Sequence, residues 1–221
     1  MEELKQYMEY SVQVTQRLLA ADSPSGFTRA AEQVLLKELS DLGYAPKQTT
    51  KGGVLVDLGG TDVNDGLLLQ AHIDTLGAMV AEVKGSGRLR LTTLGGLPAV
   101  MANTENCRLY TKFNGVLEGT IQLCNASTHV NDNLRTTVPD YNNLELVLDE
   151  PAFSADAVRA LGVDVGDVVC LDPRTRVTEK GYIKSRFLDD KLSAGILVGL
   201  AKYLKDKYQF SITIWNYQMG F

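Results

Sequence analysis

Cysteine is scarce and odd in number: Cys107, Cys124 and Cys170 lie far apart in a chain of 221 residues. That argues against a disulfide framework and suits a reducing compartment. Long hydrophobic runs are also missing. The longest apolar stretches fall well short of the ~20 residues that a membrane-spanning helix needs, so no membrane partner is expected. The opening Met1-Glu2-Glu3-Leu4-Lys5 has no signal-peptide core, and a cytoplasmic location is expected. Basic residues form no stripe, and the net charge is -5, so nucleic acid is not expected as a partner either. Asn125-Ala126-Ser127 fits a glycosylation sequon but reads as chance in such a chain. Neither an internal repeat nor a low-complexity segment is visible. What is present is ordinary globular material, 44% hydrophobic and 22% charged. It is enough for one core, or for one core and a small satellite domain.

The texture divides the chain. Residues 2–21 read as a helix with Leu4, Met8, Val12 and Leu19 near one face, broken by Ser23-Pro24-Ser25-Gly26. A second helix is expected over 28–42, with Ala31, Val34, Leu35, Leu39 and Leu42 on a stripe and Gly43 as its stop. A short strand follows at 53–59. The unbroken apolar run 67–73 suits a central parallel strand buried on both faces. From about Ala78 to Asp172 the pattern changes to short β-like runs separated by Lys84-Gly85-Ser86-Gly87, Gly95-Gly96, Asn114-Gly115 and Glu118-Gly119, with one short helix near 154–161. The α/β texture returns at Leu188, with an amphipathic helix over 190–207 that has Ile196, Leu197, Leu200 and Leu204 in register, and residues 210–215 read as a further core strand. The domains expected are 1–77 with 173–221, interrupted by a β-rich insert at 78–172.

Two acidic motifs carry the chemistry. Residues two apart on a strand share a face, so the imidazole of His72 and the carboxylate of Asp74 project together from a strand end. Strand carboxyl ends are where ligands bind in open α/β sheets. A neutral imidazole is a good zinc or cobalt ligand, and such a histidine usually donates its other N–H to a carboxylate. Asp74 is placed for that. The plainer reading makes His72 a satisfied core histidine and Asp74 a turn cap. Asp189-Asp190, at the opening of a helix, can likewise be simple capping, or a carboxylate able to bridge two metal ions.

Taken in order, three stretches resemble a known family: Ala71-His72-Ile73-Asp74-Thr75-Leu76-Gly77, then Ala160-Leu161-Gly162-Val163-Asp164-Val165-Gly166-Asp167, then Ser185-Arg186-Phe187-Leu188-Asp189-Asp190-Lys191. They are similar to the dinuclear-metal aminopeptidases that include glutamyl aminopeptidase and the tetrahedral aminopeptidases, and the likeness runs from the N-terminal helices to about Thr213. The resemblance implies an α/β, phosphorylase/hydrolase-like metallopeptidase domain, three-layer αβα, interrupted by a β-rich domain and lacking its C-terminal part. It implies two divalent metal ions, zinc or cobalt, with His72 and Asp189 as metal ligands and Asp74 as the catalytic acid that orients His72. It implies a cis peptide at Asp189-Asp190, a peptide substrate and a homo-oligomer. His129, the other histidine, lies in the insert and reads as a loop residue.

The chain departs from the family near its end. There a Glu-Glu pair follows the strand after the Asp-Asp helix. Here no carboxylate side chain follows Asp206, and Gln218, near the expected position, cannot accept a proton as a base. A further acidic ligand and a final histidine of the family have no counterpart. The reading is therefore a metallo-aminopeptidase, truncated and impaired. A non-catalytic assembly or binding module is the alternative from another class, and a deacylase or carboxypeptidase of the same metal type is a third.

Overall fold

A computed structural model describes residues 2–60, 62, 64–208 and 214–216. The chain forms two compact units, one from Met1–Thr75 with Pro173–Phe221 and the other from Leu76–Asp172.

The first unit opens with helices α1 (Glu2–Ala20) and α2 (Arg29–Asp41), followed by short strands β1 (Lys47–Gln48), β2 (Val54–Asp57) and β3 (Leu67–Leu68). The second unit holds β4 (Gly77–Val83), β5 (Leu89–Leu94), the single-turn α3 (Ala99–Ala102), β6 (Asn106–Tyr110), β7 (Val116–Leu123), β8 (Leu144–Leu148), α4 (Ala155–Ala160) and β9 (Val168–Leu171). The chain then re-enters the first unit with the hairpin β10 (Arg176–Val177) and β11 (Ile183–Lys184), helix α5 (Leu188–Lys207) and β12 (Ile214–Asn216).

The second unit is a closed barrel in the order β4-β5-β8-β7-β6-β9. Closure removes free strand edges. Val80, Leu89, Leu91, Leu109, Ile121, Leu146 and Val169 are among its buried residues. Two expected turns are found: the 84–87 turn joins β4 to β5, and Asn114-Gly115 joins β6 to β7, with Gly115 at φ +87. Ser154 caps α4 by accepting from the Ala157 N–H at 3.2 Å. Gly119 is different. It lies inside β7, and a Cβ there would meet the Val147 carbonyl oxygen at 2.4 Å. The glycine marks a close strand approach, not a turn. The three cysteines form no disulfide, with Cys107 and Cys170 buried and Cys124 exposed. Burial pushes the Cys107 thiol up to about 12.

The first unit is an α/β arrangement with sheet order β1-β2-β12-β3, in which β12 runs parallel to β3 and antiparallel to β2. Its core gathers Val14 and Leu18 of α1, Leu35 and Leu39 of α2, Val54 and Val56 of β2, Ala71, Ile73, and Ala194, Val198 and Ala201 of α5. Of the strand expected at 210–215, residues 210–213 lie outside the described residues.

Three expectations from hydrophobic pattern need correction. Leu67 and Leu68, read as doubly buried, are exposed on β3, which stands at the end of the described sheet. On α1 the buried face carries Tyr7, Val14, Thr15, Leu18 and Leu19, while Leu4 and Met8 are exposed. On α5 the buried face carries Lys191, Ala194, Gly195, Val198, Gly199 and Ala201, while Ile196 is exposed. The cause is close packing of α1 on α5. A Cβ at Gly195 would sit 2.0 Å from Thr15 Oγ1, and one at Gly199 would sit 1.8 Å from Ser11 Oγ. The two hydroxyls bond back into their own helix, Ser11 to the Tyr7 carbonyl and Thr15 to the Ser11 carbonyl, at 2.8 Å each. Small residues therefore make the contact. Leu4, Met8 and Val12 on α1 with Leu192, Ile196 and Leu200 on α5 line an open groove of about 630 Å³ beside it.

Replacing Gly199 by valine has no room at this crossing, because the Ser11 side chain and the Tyr7 carbonyl, 3.2 Å away, would both have to move. The variant should lose about 1–3 kcal/mol of stability. Urea unfolding of the two proteins side by side checks this, and equal midpoints would contradict the packing described.

Candidate metal centre

After β3 the chain continues extended, and burial alternates: Ala71, Ile73 and Thr75 are buried while His72 is exposed and Asp74 partly so. The alternation puts the imidazole and the carboxylate on one face. His72 Nδ1 lies 3.1 Å from Asp74 Oδ1 and 3.2 Å from the Asp74 carbonyl oxygen. Both neighbours accept, so this nitrogen can donate to them.

The other edge of the ring faces the start of α5. Phe187 takes a left-handed conformation, φ +63, and turns the chain there. The Asp189-Asp190 peptide is cis. Neither aspartate has helical dihedrals, with ψ 107 at Asp189 and φ -121 at Asp190, so the two acids form a bend at the mouth of the helix. Asp189 Oδ1 lies 3.1 Å from His72 Nε2, and its side chain is 95% exposed. Asp190 accepts from the His72 backbone N–H at 3.4 Å.

A third segment holds the site in place, although its sequence, Ser23-Pro24-Ser25-Gly26, marks only a helix break. The loop after α1 is joined to residues 73–75 by a ladder: the Thr75 N–H donates to Ser23 O at 2.8 Å, the Ser25 N–H to Thr75 O at 3.2 Å, and Ser23 Oγ to Ile73 O at 2.7 Å. Ser25 Oγ then donates to Asp74 Oδ2 at 2.5 Å. Lys191 was also missed as anything but part of a motif. It is 1% exposed, and its ammonium donates to the carbonyls of Leu18 and Ala21 at 2.7 Å each. Carbonyls at a helix C-terminus lack helical partners, and here the lysine next to Asp189-Asp190 fills that need. A basic residue at such an end also meets the negative end of the helix dipole.

The donor set can be tested against a divalent cation. A neutral imidazole has one N–H, yet both ring nitrogens of His72 face carboxylate oxygen. With the proton at Nδ1, the Nε2 lone pair and Asp189 Oδ1 point at one another. A cation beside both removes that conflict, and an N···O separation of 3.1 Å is near what two ligands of one tetrahedral ion with bonds of about 2.0–2.1 Å would show. The pair therefore fits a metal ion, but only as part of a ligand set. Among the described residues no group of three or more His, Cys, Asp or Glu converges. His129 lies in the second unit.

The sequence model of M42 glutamyl aminopeptidase matches residues 52–218. The chain belongs to that family. YhfE of Bacillus subtilis (strain 168) is 35% identical over 190 residues, which is 86% of this chain and 55% of YhfE. The glutamyl aminopeptidase of Lactococcus lactis subsp. cremoris (strain MG1363) is 25% identical over 195 residues, 86% of this chain and 54% of that protein. Among solved structures, the TET aminopeptidase from the marine sediment archaeon Thaumarchaeota archaeon SCGC AB-539-E09 superposes with TM-score 0.81 at 21% identity, covering 94% of this chain and 57% of that one. The TET1 peptidase of Pyrococcus horikoshii superposes with TM-score 0.76 at 21% identity, covering 93% and 59%. The fold is thus that of the M42 and TET aminopeptidases. The chain spans a little over half the length of these relatives. The family model it matches is that of a peptidase.

Removing the Lys191 ammonium tests how much the site's frame depends on it. Lys191→Met keeps the stem but leaves the carbonyls of Leu18 and Ala21 without that donor. The loss expected is about 1–3 kcal/mol, read from denaturant midpoints. A variant as stable as the parent would show that the lysine does not hold the end of α1.

Proposed function

We propose that this chain supplies part of the active centre of a metal-dependent aminopeptidase, with His72 and Asp189 as ligands of a divalent ion, zinc or cobalt. The observation that carries the reading is the pairing of His72 Nε2 with Asp189 Oδ1 at 3.1 Å while Nδ1 is committed to Asp74. Family membership supports the reaction class: removal of N-terminal residues from peptides.

In this proposal each residue has a separate task. Asp74 holds the Nδ1 proton and so fixes both the tautomer and the plane of the ring. His72 presents the Nε2 lone pair. Asp189, almost fully exposed, presents a carboxylate that two cations could share. When bound, such ions supply Lewis acidity toward a peptide carbonyl and lower the pKa of water. Asp190 keeps the His72 main chain in place through its N–H. Among the described residues no group of three or more His, Cys, Asp or Glu converges, so the proposal for this chain is binding of metal at this pair as part of a larger ligand set.

Self-association belongs to the same proposal. It is supported by the P. horikoshii relative, which can assemble into a tetrahedron or a large octahedral shell. A cytoplasmic location is supported by three cysteines that form no disulfide, and no helix among the described residues is long and apolar enough to cross a membrane.

Equilibrium dialysis against zinc and cobalt tests the centre, with an aminoacyl-anilide assay run beside it. The parent should bind metal, His72→Ala and Asp189→Asn should bind at least tenfold more weakly, and His129→Ala should match the parent. Any amine release should fall together with metal binding in His72→Ala and Asp189→Asn. A parent that binds no metal, or a His72→Ala variant that binds as the parent does, would remove this reading and favour a non-catalytic module.

A further inference from the structure

We infer that Ser25 is a positioning residue of the metal centre, holding Asp74 in the rotamer that orients His72. The inference rests on the proposed role of His72. Ser25 lies outside residues 52–218, the span of the family match.

The Asp74 carboxylate has two oxygens and two tasks. Oδ1 faces His72 Nδ1 at 3.1 Å, and Oδ2 accepts the Ser25 hydroxyl at 2.5 Å. Aspartate χ2 is a broad torsion with little preference of its own, so the carboxylate plane is set by what each oxygen meets. If Oδ2 is released, the group can swing in its partly open site, where its side chain is 34% exposed, and Oδ1 no longer stays aimed at the ring. The three linked groups form one chain: hydroxyl to carboxylate, carboxylate to ring, ring Nε2 to the face shared with Asp189.

Ser25 is also fixed more firmly than a surface serine would be. Its own N–H is bonded to Thr75 O, and the neighbouring Ser23 grips both Ile73 and Thr75. A residue on each side of Asp74 is thereby tied to the same loop. Further back, the loop starts at the end of α1, which Lys191 pins beside Asp189. The hydroxyl is thus registered against both metal-facing residues. Distance alone would allow Ser25 to be a simple loop staple. The difference is that a staple needs only the main-chain ladder, and the hydroxyl adds nothing to that ladder.

The test uses the ring N–H of His72 in metal-free protein, followed by proton–nitrogen NMR with His129→Ala to settle assignment, together with zinc affinity by dialysis and thermal melting. Ser25→Ala and the nearly isosteric Ser25→Cys should melt close to the parent. In both, the His72 Nδ1–H signal should shift and exchange faster with water, and zinc affinity should fall about 10-fold, the low end of what outer-shell partners contribute. Ser25→Thr, which keeps the hydroxyl, should restore both readings. Unchanged ring signals in the alanine and cysteine variants would overturn the inference, as would a fall in melting temperature with the ring signal intact. If the parent binds no zinc but the ring signal responds to Ser25, the metal assignment fails and the positioning role stands.

Discussion

The buried ammonium of Lys191 is the contact on which the site's geometry depends. Its two bonds to the Leu18 and Ala21 carbonyls tie the end of α1 to the start of α5, across 170 residues of sequence that include the whole second unit. A charge removed from water needs full compensation, so the lysine and the carbonyls constrain each other strongly. Once that junction is set, the 22–26 loop has a fixed origin, its ladder to residues 73–75 fixes Asp74, and Asp189 stands opposite His72. The two chemistry-bearing segments meet because a third, without chemistry of its own, is held between them.

The helix crossing serves the same end. Gly195 and Gly199 let α5 approach α1 until hydroxyls replace side-chain bulk at the contact. Interiors are packed too densely to absorb even small volume changes, so the spacing of the two helices sets where the mouth of α5, and hence Asp189, can lie.

The motif residues were legible from order and type: a histidine and an aspartate two apart on an extended segment share a face, and the structure places Asp189 against that face. The barrel's hairpins were legible where Asn-Gly or Gly-Ser-Gly demanded a turn. Other features were not, for identifiable reasons. Hydrophobic periodicity finds apolar stripes but not which of them is covered, and α1 meets α5 through Ser11, Thr15, Gly195 and Gly199, so Leu4, Met8 and Ile196 pointed to the wrong face. Gly119 looked like a turn because nothing in the sequence shows that another strand's backbone lies against it. Leu67 and Leu68 looked buried because apolar runs usually are, whereas the described residues leave them exposed. Ser25 was hidden in a string of breaker residues whose composition explains a loop but not which carboxylate its hydroxyl meets 49 positions away.

The central claim is that one imidazole and one carboxylate, His72 and Asp189, form the metal-facing pair of this chain. X-ray absorption of the zinc-loaded protein tests it most directly. The account predicts one imidazole nitrogen at about 2.0–2.1 Å with oxygen filling the remaining positions and no sulfur, and loss of the imidazole signature in His72→Ala. A shell containing cysteine sulfur at about 2.3 Å, or an imidazole signature that survives that substitution, would contradict it.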